Sequence, residues 1–182
     1  MSQIRPMHSS IADKKLTTRY LVIFGVLGGI MFLSKVMMIG FPNIHLLGLF
    51  IAAFTLTYRA QALIPLYVYI LLSGIFYGFS IWWVPHLYIW LPLWGAFMIF
   101  GKLDIPSKIK VPIAMAMCAI HGFTFGLMYA PFQAFVLGFS LQMTIAWIVA
   151  GIPFDIIHGV SNLASGILVI PLASLLIKLD KI

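Results

Sequence analysis

Asp155, His158 and Asn162 stand at i, i+3 and i+7 in a stretch that is otherwise apolar. On a helix, that spacing puts a carboxylate, an imidazole and an amide on one face, where they can read the donors and acceptors of a polar ligand. Asp155 follows Pro153 in the first turn of the expected helix, where the helix dipole favours an anion. Two roles are open to it: to pair with Lys35 or His158 and lock two helices, or to touch ligand. Asn43, His45, His86, His121 and Gln133 complete the set of polar side chains in apolar surroundings. Aromatic rings crowd one connection: Phe76, Tyr77, Phe79, Trp82, Trp83, Tyr88, Trp90 and Trp94. As a set they suit an interfacial belt. Trp82 and Trp83, beside Pro85 and His86, are the rings expected to stack on a flat ligand.

Other chemistries find less support. Gly95 to Lys102 has the wrong spacing for a phosphate loop, and no Ser or Thr follows the lysine. His45, His121, Asp155 and His158 lack the HxxxH or HExxH spacing of a metal site, so no metal or cofactor is expected. Ser161 has no nucleophile-elbow context. The single Cys118 excludes an internal disulfide framework.

The elements that position these residues follow from composition. The chain has 182 residues, 63% hydrophobic and 8% charged, with eleven Lys/Arg against four Asp/Glu, a net +7. A soluble domain averages about 25% charge, and a chain this apolar cannot clothe a core of this size in polar surface. The solvent is lipid, and at about 20 residues per span there is room for about six helices. The cations sit at segment ends rather than on one face, which argues for lipid headgroups and against nucleic acid.

The expectation is an all-α integral membrane protein, a single transmembrane domain over 1–182 with a cytoplasmic segment 1–18. The runs are 20–38, too long for a signal-peptide core, then 44–58, 62–80, 87–101, 111–129 and 154–177. Residues 131–151 are interrupted by Gly138-Phe139-Ser140 and read as an outer hairpin, re-entrant or interfacial segment between helices 5 and 6. Six spans put ten of the eleven cations on the cytoplasmic side with both termini, leaving Lys35 toward the outside. The polar set above then falls largely in the outer half, where intramembrane ionisable groups mark a site. No internal repeat is visible. GxxxG pairs occur at Gly25/Gly29 and Gly74/Gly78, and such pairs allow close helix approach.

Three stretches resemble the substrate-binding S components of energy-coupling factor (ECF) vitamin transporters. They are Pro42-Asn43-Ile44-His45-Leu46-Leu47-Gly48, the Gly-rich first span, and Pro153-Phe154-Asp155-Ile156-Ile157-His158-Gly159. The resemblance implies a small six-helix protein that captures a micronutrient at its outer side. It implies partners as well: a transmembrane T component and two ATPase subunits. Gly25 and Gly29 stand where the family carries its Ala-x-x-x-Ala docking signature. ATP hydrolysis would belong to the partners, so the chain itself is expected not to be an enzyme. The ligand expected is small, heteroaromatic and vitamin-like, held by Asp155, His158 and Asn162 with Trp82 or Trp83 against it. The alternatives are an intramembrane enzyme using His121, His158 and Asp155, and a stand-alone secondary transporter.

Overall fold

The computed structural model describes residues 15–180. Arg5, Asp13, Lys14 and Lys181, which contribute to the expected orientation, lie outside the described residues. Eight α-helices occur among those described: α1 (Thr18–Met37), α2 (Leu47–Tyr58), α3 (Leu63–Tyr77), α4 (Leu91–Phe100), α5 (Ser107–Phe123), α6 (Phe125–Leu137), α7 (Leu141–Gly166) and α8 (Val169–Leu179). Short 3-10 segments, Arg59–Ala62 and Ile81–Leu87, precede α3 and α4. Among the described residues, five stretches are long and apolar enough to cross a membrane: Thr18–Met37, Leu47–Tyr77, Ile81–Phe100, Ser107–Leu137 and Leu141–Gly166. An all-helical chain is what lipid demands, because each backbone polar group must find its partner within the segment.

Helix α2 is the axis of the bundle. It is apolar all round, and every residue but Phe50 is buried. Its two threonines return their hydroxyl protons to the preceding turn, Thr55 to the Ile51 carbonyl at 2.6 Å and Thr57 to the Ala53 carbonyl at 2.9 Å. The second long apolar stretch folds back on itself after α2. Arg59 takes a left-handed φ of +57°, its guanidinium donates to the Met98 carbonyl at the end of α4, and its own carbonyl accepts the Trp94 indole N–H at 3.3 Å. Helix α3 then returns alongside α1. They meet where Gly28 faces Val68 and the Pro65 carbonyl, and Phe32 meets Phe76 edge-on.

Helices α5 and α7 cross at a second close approach. A Cβ built on Gly122 would lie 2.7 Å from the Gly159 Cα, and one on Gly166 would lie 2.7 Å from the Met115 Cα. Small residues let the backbones touch, which is how helices associate without a hydrophobic drive between them.

Two features depart from the expected boundaries. The fifth run breaks at Thr124 into α5 and α6, and the helix holding Asp155 starts at Leu141, so Pro153 lies inside α7 instead of opening it. A proline removes one intrahelical hydrogen bond without forcing the chain to stop where neighbouring helices hold it. Residues 131–151 are therefore the end of α6, a turn with Gly138 at φ +65°, and the start of α7 capped by Ser140, whose Oγ accepts from the Met143 N–H at 3.2 Å. Tyr129 and Trp147 stack across this hairpin at 6.0 Å.

The two ends of the bundle differ. At one, Tyr20 donates to Asp180 at 2.8 Å, and Phe24 packs edge-on against Tyr58. Lys15, Arg19, Arg59, Lys102, Lys108, Lys110 and Lys178 lie in the helix termini and connections of that end. Lys35 stands at the other, with the polar cavity described next.

Candidate functional site: a histidine-lined cavity

The connection between α1 and α2 contains Pro42 and Asn43, and Asn43 turns the chain at φ +61°. It delivers Asn43 and His45 over the top of α2. There they meet His158 from α7, His86 from the second 3-10 segment and Lys35 from the last turn of α1, enclosing a cavity of about 140 Å³. Leu47, Tyr69, Trp90 and Phe125 complete the wall.

Trp90 and Phe125 organise the imidazoles. Trp90 lies 5.3 Å from the His121 ring in a stacked arrangement, 5.8 Å from His45 and 6.3 Å from His86. Phe125 lies 4.6 Å from His158. Four of the chain's five histidines thus converge; His8 lies outside the described residues.

Hydrogen bonds set the tautomers. His45 Nδ1 accepts from the Leu47 N–H at 3.4 Å, so its Nε2 carries the proton. His86 Nδ1 donates to the Trp82 carbonyl and His121 Nε2 to the Ile89 carbonyl, each at 2.9 Å. Burial holds His45 well below the ordinary imidazole range, with His158, Lys35 and His121 pushing the same way, so it is neutral at pH 7. Several buried polar atoms lack a partner among the described residues: Trp90 Nε1, His158 Nε2, His121 Nδ1 and both amide atoms of Asn162. A polar group buried without a partner costs about 1–3 kcal/mol, so such a concentration is unusual outside a site.

Of the residues singled out in the sequence, Lys35, Asn43, His45, His86 and His158 line the cavity. His121 and Asn162 are buried close behind it. His121 stacks on Trp90, and Asn162 lies one turn below His158 with its amide against Gly48. The remaining four have other surroundings. Asp155 shares the inward stripe of α7, but its carboxylate accepts the Gly126 N–H at 3.0 and 3.1 Å. The break at Thr124 exposes the first N–H groups of α6, and an anion there is doubly favoured, by the free donors and by the dipole. Gly126 fits the contact because a Cβ would lie 2.6 Å from Asp155 Oδ2. Trp82 packs on Tyr77 and His86, and its carbonyl also accepts from Tyr129. Trp83 donates its indole N–H to the Ile70 carbonyl at 2.8 Å and packs on Phe79. Gln133 lies on α6, outside the lining residues.

The tryptophan among the lining residues is Trp90, which the sequence places only among the crowded aromatics. Tyr69 and Phe125 carry no local signal at all. Chemically, the arrangement offers donors and acceptors on an aromatic wall. The Ser161 hydroxyl donates to the His158 carbonyl at 3.2 Å, not to an imidazole. No group of three His, Cys, Asp or Glu side chains with metal-binding geometry occurs among the described residues. Gly25 and Gly29 have no atom within 4 Å of a built Cβ and face away from the bundle, whereas Gly28 between them faces α3. No protein-family model, curated protein or solved structure matches the chain.

Proposed function

We propose that this chain is the membrane-embedded capture subunit of an ECF-type importer, binding a small, vitamin-like heteroaromatic micronutrient in the cavity beneath the α1–α2 connection. The observation that carries the reading is the cavity itself. It combines an aromatic wall with buried polar atoms that have no partner, at the end of the bundle opposite most of the cations. Concave apolar walls with a few placed polar groups are the usual form of a small-molecule site.

On this reading the fold at Arg59 divides the second long stretch, α7 and α8 together make the last crossing, and the chain crosses the cell membrane six times. Both termini are then cytoplasmic and the 131–151 hairpin is external. The Gly25/Gly29 face of α1 serves a transmembrane T component, and two ATPase subunits supply the energy. Neither nucleic acid nor chemistry on the ligand is involved.

The test is expression with an epitope tag, purification in mild detergent, and mass spectrometry of everything retained. Recovery of a larger membrane protein, two ATPases and an unmodified small molecule supports the proposal. Ion-driven uptake by liposomes holding this chain alone would sink it, as would turnover of the bound molecule.

A further inference from the structure

The charge around the cavity is unbalanced. Lys35 lines it, and no acidic side chain does among the described residues. The chain has four acidic residues in all. Asp13 lies outside the described residues, Asp104 follows α4 at the far end, Asp180 takes the Tyr20 hydroxyl, and Asp155 takes the Gly126 N–H. Two of the lining residues also carry a ring N–H. Trp90 is 1% exposed with its Nε1–H unpartnered, and the tautomer of His45 leaves a proton on Nε2. His158, 2% exposed, has its Nε2 unpartnered. A site with a cation, donors and no carboxylate asks for an anion.

Size narrows the choice further. A cavity of about 150 Å³ accommodates a benzene ring, and this one measures about 140 Å³. We propose that the ligand is a single-ring aromatic or heteroaromatic monocarboxylate, its carboxylate on Lys35 and its ring against Trp90 and Phe125. This rests on reading the cavity as the capture site. It goes beyond that reading by naming the charge and the ring count. Phospholipid headgroups present anionic oxygens of the same kind to Lys35, so the test separates the two sources.

The purified full chain, in neutral detergent and stripped of phospholipid, is titrated calorimetrically with benzoate and nicotinate and with their uncharged amides. The acids are expected to bind about tenfold more tightly than the amides, because a hydrogen bond between charged groups is roughly twice as strong as a neutral one. Lys35→Met should bring the acids down to the amides, and Lys35→Arg should keep the preference. Equal or tighter binding of the amides would overturn the inference, while leaving a capture subunit for neutral ligands standing. Acid preference that survives in Lys35→Met would also overturn it, as would native mass spectrometry showing only phospholipid held through Lys35. Should Lys35→Met not be recovered folded, the acid–amide comparison in the unaltered chain decides. Acid-selective binding by a chain that never copurifies with ATPases would support this inference and remove the transporter reading.

Discussion

The imidazoles of His45 and His158 meet edge to face, their centroids 4.4 Å apart and their planes at 79°. One ring comes from the connection before α2 and the other from the middle of α7. Their contact closes the cavity between the first and last parts of the chain. Two imidazolium ions could not share that space beside Lys35, so the contact depends on neutral rings.

That dependence predicts a pH response. The folded pKa of His45 is depressed, while the unfolded chain takes up the proton near pH ~6.5. As pH falls through that value, the unfolded state gains a proton that folded His45 refuses, so stability is full above it and declines below it. Thermal unfolding in detergent at about pH 7.5 and about pH 5.5 should show a fall that is smaller in His45→Asn. An identical fall in both proteins would assign the effect to other groups.

Asp155→Ala should act on stability more than on ligand binding. Its carboxylate caps the start of α6 through Gly126, and loss of such a cap costs about 0.5–2 kcal/mol. The variant should unfold at lower temperature with ligand affinity changed less than about threefold, and Asp155→Asn should recover part of the loss. Affinity that collapses while the unfolding temperature holds would place Asp155 on the ligand.

Trp90 separates packing from recognition. Trp90→Phe keeps an aromatic ring beside His121 and removes the unpartnered Nε1–H. Ligand affinity should fall with little change in unfolding temperature. Trp90→Ala should cost about 3–5 kcal/mol, because it empties a fully buried aromatic position. Paired binding and unfolding measurements on both variants distinguish the two effects.

The three glycines of α1 should respond oppositely. A Cβ on Gly28 meets Val68 at 2.6 Å and the Pro65 carbonyl at 2.9 Å, so Gly28→Ala should destabilise by about 1–3 kcal/mol. Gly25→Ala and Gly29→Ala meet nothing within 4 Å and should be neutral or mildly stabilising in the isolated chain, since alanine is the better helix former by about 1 kcal/mol. Under the proposed docking role, Gly25→Leu with Gly29→Leu should abolish copurification with partners while leaving ligand binding intact.

The GxxxG spacing marks Gly25 and Gly29 as a pair without showing what they face. The residue that packs inside the bundle is Gly28, because the identity of the neighbouring helix decides which face of α1 turns inward. The inward stripe on α7 was legible for a different reason. Asp155, His158 and Asn162 are polar in an apolar stretch, and helical periodicity alone puts them on one side.

By itself, then, the sequence determined the apolar composition that suits lipid, the helical class, the segregation of most cations from the polar set, and that stripe. Each of these is a sum or a period over neighbouring residues. Tertiary structure alone decided which ring would face the cavity and which charge would be consumed elsewhere. Trp83 spends its N–H on Ile70, whereas Trp90 keeps its own unpartnered. Asp155 is drawn off by a helix break at Thr124 that hydropathy does not register, and Lys35 has no carboxylate beside it in the cavity lining among the described residues. A polar side chain in lipid takes the donor or acceptor that packing brings within about 3 Å, and for Asp155 and Trp83 that partner lies on another element, distant in sequence.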